Sequence, residues 1–311
     1  MEQIKDLNQL LDYAKKIGAE KGPQMVAVAK ADDKGLLEAL EIARKEGIAN
    51  FILTGEKAAI QKAADAAGVD LANYEIIECA DEVSMATEAV TAVSSGRAKV
   101  YMKGQVHTNH FLRAMLNKEV GLRQGKNTIS HCYFHHVKGY DRLLFLSDCA
   151  FNTYPDLNAK ADIIKNTVKL AQAFGVACPK VACLAAVEVV NPDMPATLDA
   201  AALTAMNNRG QITGCIVDGP FALDNAVSVE SAKTKGIESP VAGLADILLV
   251  PNIDAGNMMA KAIVYFSENE TAGLILGAKA PVVLTSRADS PRAKLLSIAA
   301  AVTLAEFSGK K

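Results

Sequence analysis

Short apolar runs alternate with amphipathic segments throughout the first third of the chain. Four runs are typical of strands: MVAVAK (25–30), FILTG (51–55), YEIIEC (74–79) and KVYMKG (99–104). Between them lie three segments with helical spacing of apolar residues: 36–47, 57–69 and 83–96. Strands that alternate with helices of this length favour a mainly parallel sheet with helices on both faces.

The alternation weakens between residues 105 and 145, where histidines and glycines without a clear period predict loops and short elements. It then resumes with predicted strands at 142–148, 180–190, 214–220, 245–252, 271–278 and 281–287, and predicted helices at 158–175 and 197–210. A last helix, 293–307, is expected to pack back onto the first lobe. We therefore expect an α/β protein with one lobe from 1–130 plus 286–311 and a second from 131–285.

Composition excludes several classes of protein. The chain has 311 residues, half of them apolar, which is enough for a buried core in one large or two smaller α/β units. A net charge of -2 without a strong basic block argues against nucleic acid as a partner.

No run of about 18 apolar residues predicts a membrane span, and the start of the chain is a charged amphipathic helix, so we expect a cytoplasmic protein without membrane contact. The six cysteines lie apart, without a CxxC pair, which favours reduced core thiols.

Polar clusters follow several predicted strands. They are KGQVHTNH (103–110), SDCAFNTYP (147–155), DGPFALDNA (218–226), PNIDAGN (251–257) and TSRADS (285–290). Each alone is compatible with an ordinary turn or helix cap, because Asp, Asn, Gly and Pro are common there. Parallel strands end at one edge of their sheet, however, so together the clusters predict one cleft between the lobes.

Two of these clusters suit an anion. PNIDAGN predicts a strand, a turn and a helix whose first amides are available to an anion. Ser286 and Arg287 end an apolar strand, where the guanidinium can bind phosphate or carboxylate and the hydroxyl can donate beside it. An ion pair between Arg287 and Asp289 that only fixes the turn explains the same residues equally well.

Other chemistry has weaker support. The motifs GxxxxGK[ST], GxGxxG, GxSxG and HExxH are absent from the sequence. The histidines at 107, 110, 131, 135 and 136 are better explained as hydrogen-bonding groups than as metal ligands, and Cys149 or Cys215 as an acyl-carrying nucleophile would need a base beside it.

Taken together, the motifs resemble the phosphate acetyl/butyryltransferase family, most closely its butyryltransferase branch. The matching runs occur in family order from about residue 98 to the end: KGQVHTNHFLRAML, SDCAFNTYPDLNAK, GCIVDGPFALDNAVS, KGIESPVAGLADILLVPNIDAGNMMAK and PVVLTSRADS. The resemblance implies a two-lobe, three-layer α/β/α fold like that of isopropylmalate dehydrogenase, with mainly parallel sheets and the active site in the interlobe cleft. It also implies reversible acyl transfer between coenzyme A and inorganic phosphate, by direct attack in a ternary complex and without a metal or redox cofactor.

The same resemblance implies roles for individual residues. Arg287 matches the phosphate-binding arginine, and Ser286 matches the serine that hydrogen-bonds the sulfur of coenzyme A. Further contacts to phosphate and coenzyme A are expected from residues in the other matching segments: Lys103, Thr108, Arg113, His131, Asn152, Asp254, Asn257 and Lys261. The acetyltransferase branch has an Asp seven residues after the serine as proposed base, but Ala293 stands there in this chain. Asp289 is the substitute that we assign as catalytic base.

Alternatives remain open at this point. Acyl preference between acetyl, butyryl and branched groups does not follow from the residues, because one methylene changes binding by only about 1–3 kcal/mol. A metal- and NAD-dependent decarboxylating dehydrogenase shares the fold, and a non-catalytic acyl-CoA-binding protein would share the cleft. The resemblance also implies a homodimer or higher homo-oligomer, with an acyl (butyrate) kinase as the neighbouring pathway step.

Overall fold

The computed structural model describes residues 2–267, 269–286 and 289–309. It contains helices α1 (Leu7–Lys21), α2 (Lys34–Lys45), α3 (Lys57–Ala67), α4 (Glu82–Ser94), α5 (Thr108–Met115), α6 (Leu157–Ala173), α7 (Pro195–Asn208), α8 (Leu223–Val227), α9 (Val229–Thr234), α10 (Ile253–Ser267) and α11 (Pro291–Gly309). The strands are β1 (Gln24–Ala29), β2 (Ala49–Gly55), β3 (Glu75–Glu78), β4 (Val100–Lys103), β5 (Ser130–His135), β6 (Leu144–Ser147), β7 (Lys180–Leu184), β8 (Ile216–Phe221), β9 (Ile247–Leu249), β10 (Thr271–Leu276) and β11 (Val282–Val283). The α/β class predicted from the alternation is confirmed.

The chain divides into two compact units. The flanking unit comprises Asn8–Asn127 and the chain from Ala272 onward, and the central unit comprises Thr128–Thr271 and the chain before Asn8. β10 and β11 belong to the flanking unit because β11 pairs with β4 and with β10. The sequence-based boundaries at 130 and 285 would have left these two strands in the second lobe.

In the flanking unit the strand order is β3-β2-β1-β4-β11-β10, parallel except for β10 against β11. Strand β4 and the last four residues of β1 are buried on both faces, as expected for a sheet covered by helices on each side. The final helix α11 is buried from Lys294 to Leu304 and packs on α2, β4 and β11. Two of these three elements, α2 and β4, come from the N-terminal part of the chain.

In the central unit the strand order is β5-β6-β9-β7-β8. Strands β6, β9, β7 and β8 are parallel, and β5 runs antiparallel to β6. One apolar cluster of this unit contains Leu146, Ala182, Leu248, Phe221 and Val241. All of the described helices are too short or too polar to cross a membrane.

Two predicted elements differ from the structure. Strand β5 lies in the segment for which only loops and short elements were expected, because alternating histidines hid its period. The strand predicted at 180–190 ends at Leu184, and Val189 and Val190 are exposed. The apolar letters continue there, but backbone pairing with β8 stops after Phe221.

Candidate functional site

In the flanking unit, polar side chains follow β4 and β11 at the same edge of the sheet. The two strands are parallel, with Met102 opposite Val283, so the segments that begin at Lys103 and Thr285 leave the sheet side by side. The predicted residues Lys103, Thr108, Ser286 and Asp289 therefore lie at or after the ends of two neighbouring strands of one unit.

The loop after β4 presents two of these residues differently. Lys103 is only 4% exposed, and its Nζ donates to the carbonyl of Gly104 at 3.1 Å. Thr108 is exposed as the first residue of α5, and Arg113 is exposed in the last turn of the same helix. Thr108 thus lies at the sheet edge, whereas Arg113 lies more than one helical turn farther along.

The segment after β11 forms a tight turn around Asp289. The amide of Ser286 donates to Oδ2 of Asp289 at 2.7 Å, and the amide of Asp289 donates to the carbonyl of Ser286 at 3.1 Å. Lys294 Nζ also donates to the carbonyl of Asp289. Arg287 lies outside the described residues, so the predicted pair between Arg287 and Asp289 has no structural description. What the structure assigns to Asp289 is a contact that holds the serine in the turn.

In the central unit, the carboxylate of Asp148 organises the loop after β6. It accepts hydrogen bonds from the amides of Ala150, Phe151 and Asn152 at 3.0–3.1 Å, and from Asn152 Nδ2 at 2.5 Å. Asn152 Nδ2 also donates to the carbonyl of Ile129. Burial raises the pKa of Asp148 above its usual value, although these hydrogen bonds oppose the shift. The side-chain NH₂ group of the predicted ligand Asn152 thus makes both of these hydrogen bonds within the protein.

Helix α10 carries three predicted residues, and Gly256 allows it to pack closely against the loop after β6. A side chain at Gly256 would lie 2.6 Å from the carbonyl oxygen of Asp148, so only a glycine lets α10 approach the loop after β6 this closely. Asn257 Nδ2 donates to the carbonyl of Cys149 at 3.2 Å, and Asp254 accepts from Tyr154 Oη at 3.3 Å. Lys261 is exposed one turn beyond Asn257.

Strand β5 places His131 beside the end of β6, because the hydroxyl of Ser147 donates to the carbonyl of His131. The ring of His131 is fully buried, stacks edge-on against Tyr133 at 4.4 Å, and has no hydrogen-bond partner on Nδ1. His135, two residues on, has none on either ring nitrogen. Burial lowers the pKa of each histidine to about 4, so both rings are neutral at pH 7. The sequence analysis interpreted His135 as a hydrogen-bonding histidine, and this interpretation is wrong because its ring is buried on a strand with no partner on either nitrogen.

The thiols of Cys149 and Cys215 are poorly suited to carry an acyl group. Burial raises the pKa of Cys149 well above its usual value and raises that of Cys215 to about 11, so neither is a thiolate at neutral pH. Among the described residues, no group of three or more His, Cys, Asp and Glu side chains is arranged to hold a metal ion.

Comparison with known proteins gives the family. Residues 80–302 match the family model described as phosphate acetyl/butaryl transferase. Over 302 residues, the chain is 50% identical to a phosphate butyryltransferase from Clostridium acetobutylicum, covering 97% of this chain and 99% of that protein.

Solved structures agree with this match. A branched-chain phosphotransacylase from Enterococcus faecalis V583 superposes with a TM-score of 0.81 at 33% identity, covering 91% of this chain and 99% of that one. A 4-hydroxythreonine-4-phosphate dehydrogenase from Klebsiella pneumoniae has a TM-score of 0.53 at 10% identity over 91% of this chain and 99% of its own, a likeness of fold alone. The chain therefore belongs to the phosphate acetyl/butaryl transferase family.

Proposed function

We propose that this protein transfers a short acyl group, preferably butyryl, reversibly between coenzyme A and inorganic phosphate. The observation that carries the proposal is 50% identity to a phosphate butyryltransferase over nearly the whole of both chains. The strand-end residues of each unit supply cations, hydroxyls and amides of the kind that this reaction uses.

The reaction requires positioning more than it requires reactive protein groups. A phosphate oxygen attacks the thioester carbonyl carbon, a tetrahedral oxyanion forms, the C–S bond breaks, and coenzyme A leaves as a thiolate that takes up a proton. Neutralising phosphate charge and donating to the oxyanion therefore accelerate the step most. The buried, protonated thiols of Cys149 and Cys215 favour direct attack over an acyl-enzyme.

We assign the roles accordingly. Arg287 binds phosphate bidentately, and Ser286 donates to the thioester sulfur. In the reverse direction Asp289 accepts the thiol proton of coenzyme A. The remaining contacts to phosphate and coenzyme A come from the other predicted residues at the strand ends: Lys103, Thr108, Arg113, His131, Asn152, Asp254, Asn257 and Lys261.

The wider setting belongs to the same proposal. The reaction uses no metal or redox cofactor, and coenzyme A and phosphate are substrates. We place the enzyme in the cytoplasm as a homodimer or higher homo-oligomer. An acyl kinase would consume the acyl phosphate, because that mixed anhydride can phosphorylate ADP.

The test is phosphate-dependent release of free coenzyme A thiol from a series of esters, from acetyl through butyryl and isobutyryl to valeryl. We expect release to require phosphate, to be fastest near four carbons, and to fall at least a hundredfold in Arg287→Ala, because a charge-assisted phosphate contact is lost. A maximum at acetyl or isobutyryl would keep the reaction and change the preferred substrate. Binding of acyl-CoA without phosphate-dependent release would favour a non-catalytic protein.

A further inference from the structure

Three elements of the flanking unit meet at one carboxylate, that of Glu82. Lys30 Nζ, just after β1, lies 2.7 Å from Glu82 Oε1. The backbone amide of His107, just before α5, donates to Glu82 Oε2 at 2.8 Å, and its ring Nδ1 lies 2.7 Å from the same oxygen. Glu82 itself is the first residue of α4, so it joins the ends of β1 and of the β4–α5 loop.

The pair at the centre of this cluster is partly buried. The side chains of Lys30 and Glu82 are 24% and 20% exposed, whereas His107 is 68% exposed. Burial alone would raise the pKa of Glu82, but hydrogen bonds from Lys30 and His107 outweigh it and lower the pKa to about 2. The carboxylate therefore keeps its charge and both of its contacts throughout the neutral range.

The backbone here is held in a conformation that a lysine seldom adopts. Lys30 has φ +59°, the only positive φ of a non-glycine residue in the described chain. Its carbonyl accepts from Gln105, and the carbonyl of Ala29 accepts from Gly104. A side chain at Gly104 would lie 2.2 Å from the carbonyl oxygen of Lys30. The segment after β1 and the β4–α5 loop are therefore in close backbone contact, and we call them interlocked. Left-handed geometry at a non-glycine residue is unfavourable and persists only where its surroundings impose it.

This interlocked loop is the one that separates Lys103 from Thr108. The ring of His107 contacts Glu82 and forms no side-chain cap on α5. Two bonds to Glu82 thus hold His107, the residue directly before Thr108.

We propose that Glu82 is a positioning residue for acyl transfer, which fixes the β4–α5 loop so that Lys103 and Thr108 meet the substrates in one geometry. The inference rests on the proposed function for the roles of Lys103 and Thr108. Its distinguishing consequence is a loss of substrate binding without a matching loss of turnover.

The test is Glu82→Gln in the full-length enzyme. Glutamine keeps the shape but turns an amide NH₂ towards Lys30 or His107, so one contact becomes donor against donor. We expect KM for phosphate or acyl-CoA to rise about tenfold, equivalent to about 1.4 kcal/mol, with kcat changed less than threefold. Lys30→Met should have a smaller effect, because both bonds to His107 remain.

Glu41→Gln is the matched control. Glu41 is a second buried carboxylate of the same unit, with hydrogen bonds from Arg44 and Tyr74 and a pKa also near 2, but it has no contact to the β4–α5 loop. It should lower the melting temperature and leave both KM values unchanged.

The outcomes separate the two proposals. Unchanged KM values in a folded Glu82→Gln variant would overturn the role of Glu82 and leave the acyl transfer intact, whereas a wild-type protein without phosphate-dependent thiol release would overturn the function itself. If Glu82→Gln does not fold, the same constants are measured on His107→Ala, which removes the ring contact alone. There a KM rise of about threefold is expected, and no change would reject the proposal.

Discussion

Asp289 has one role in the structure and a second that we propose, and one substitution can separate them. Its carboxylate accepts the amide of Ser286 at 2.7 Å, and we assign it the thiol proton as well. Asp289→Asn keeps an acceptor for the amide but removes the base, so kcat should fall by about tenfold or more with KM changed less than threefold. Activity of this variant within twofold of wild type would show that Asp289 only holds the turn. Asp289→Ala, which removes both roles, provides the comparison.

At Gly256, close neighbouring atoms leave no room for a side chain. An alanine there would place Cβ 2.6 Å from the Asp148 carbonyl oxygen and 2.8 Å from Val250 Cγ2, neither of which can move freely. We expect Gly256→Ala to lower the free energy of unfolding by about 2 kcal/mol or more. Gly35→Ala, in α2, meets nothing closer than 3.7 Å and should be neutral or stabilising by up to about 1 kcal/mol. Denaturant unfolding of both variants measures the difference, and equal effects would contradict the steric argument.

At the scale of elements, β5 makes stability depend on pH. The rings of His131 and His135 are neutral in the folded protein because burial lowers each pKa to about 4, whereas the unfolded chain takes up protons below about pH 6.5. Unfolding therefore binds protons, and stability falls as the pH drops from 6.5 to 4, by about 3 kcal/mol for each histidine, with no further loss from them below pH 4.

His135→Phe tests this dependence. It should flatten the fall in unfolding free energy between pH 6.5 and 4 by roughly the share of one histidine, and it removes two ring nitrogens without partners. An unchanged slope in His135→Phe would show that His135 is protonated in the folded state or is reached by water.

The same strand shows why some elements could not be predicted from sequence. Aliphatic runs such as 25–30 and 51–55 form strands as expected, because burial on both faces needs nothing but apolar side chains. In SHCYFH, His131 and His135 are buried although histidine is usually found at the surface, so the sequence of this strand resembles that of an exposed segment. Its backbone pairing with β6, which the sequence does not reveal, identifies this segment as a strand.

For the whole molecule, the sequence predicted polar clusters at the ends of parallel strands but could not predict how those residues are used. Asn152 and Asn257 each donate to backbone carbonyls of their own unit. Such hydrogen bonds depend on distances between loops far apart in the chain. The position of β10 and β11 in the flanking unit was missed for the same reason, because only the register between β11 and β4 reveals it.

The measurement that tests the central claim most directly follows both products by 31P NMR and thiol titration, starting from butyryl-CoA and phosphate. The account predicts that butyryl phosphate appears in an amount equal to the free coenzyme A, and that adding coenzyme A to purified butyryl phosphate reverses the reaction. Release of thiol together with butyrate, and without an acyl phosphate signal, would show hydrolysis rather than transfer and would contradict the account.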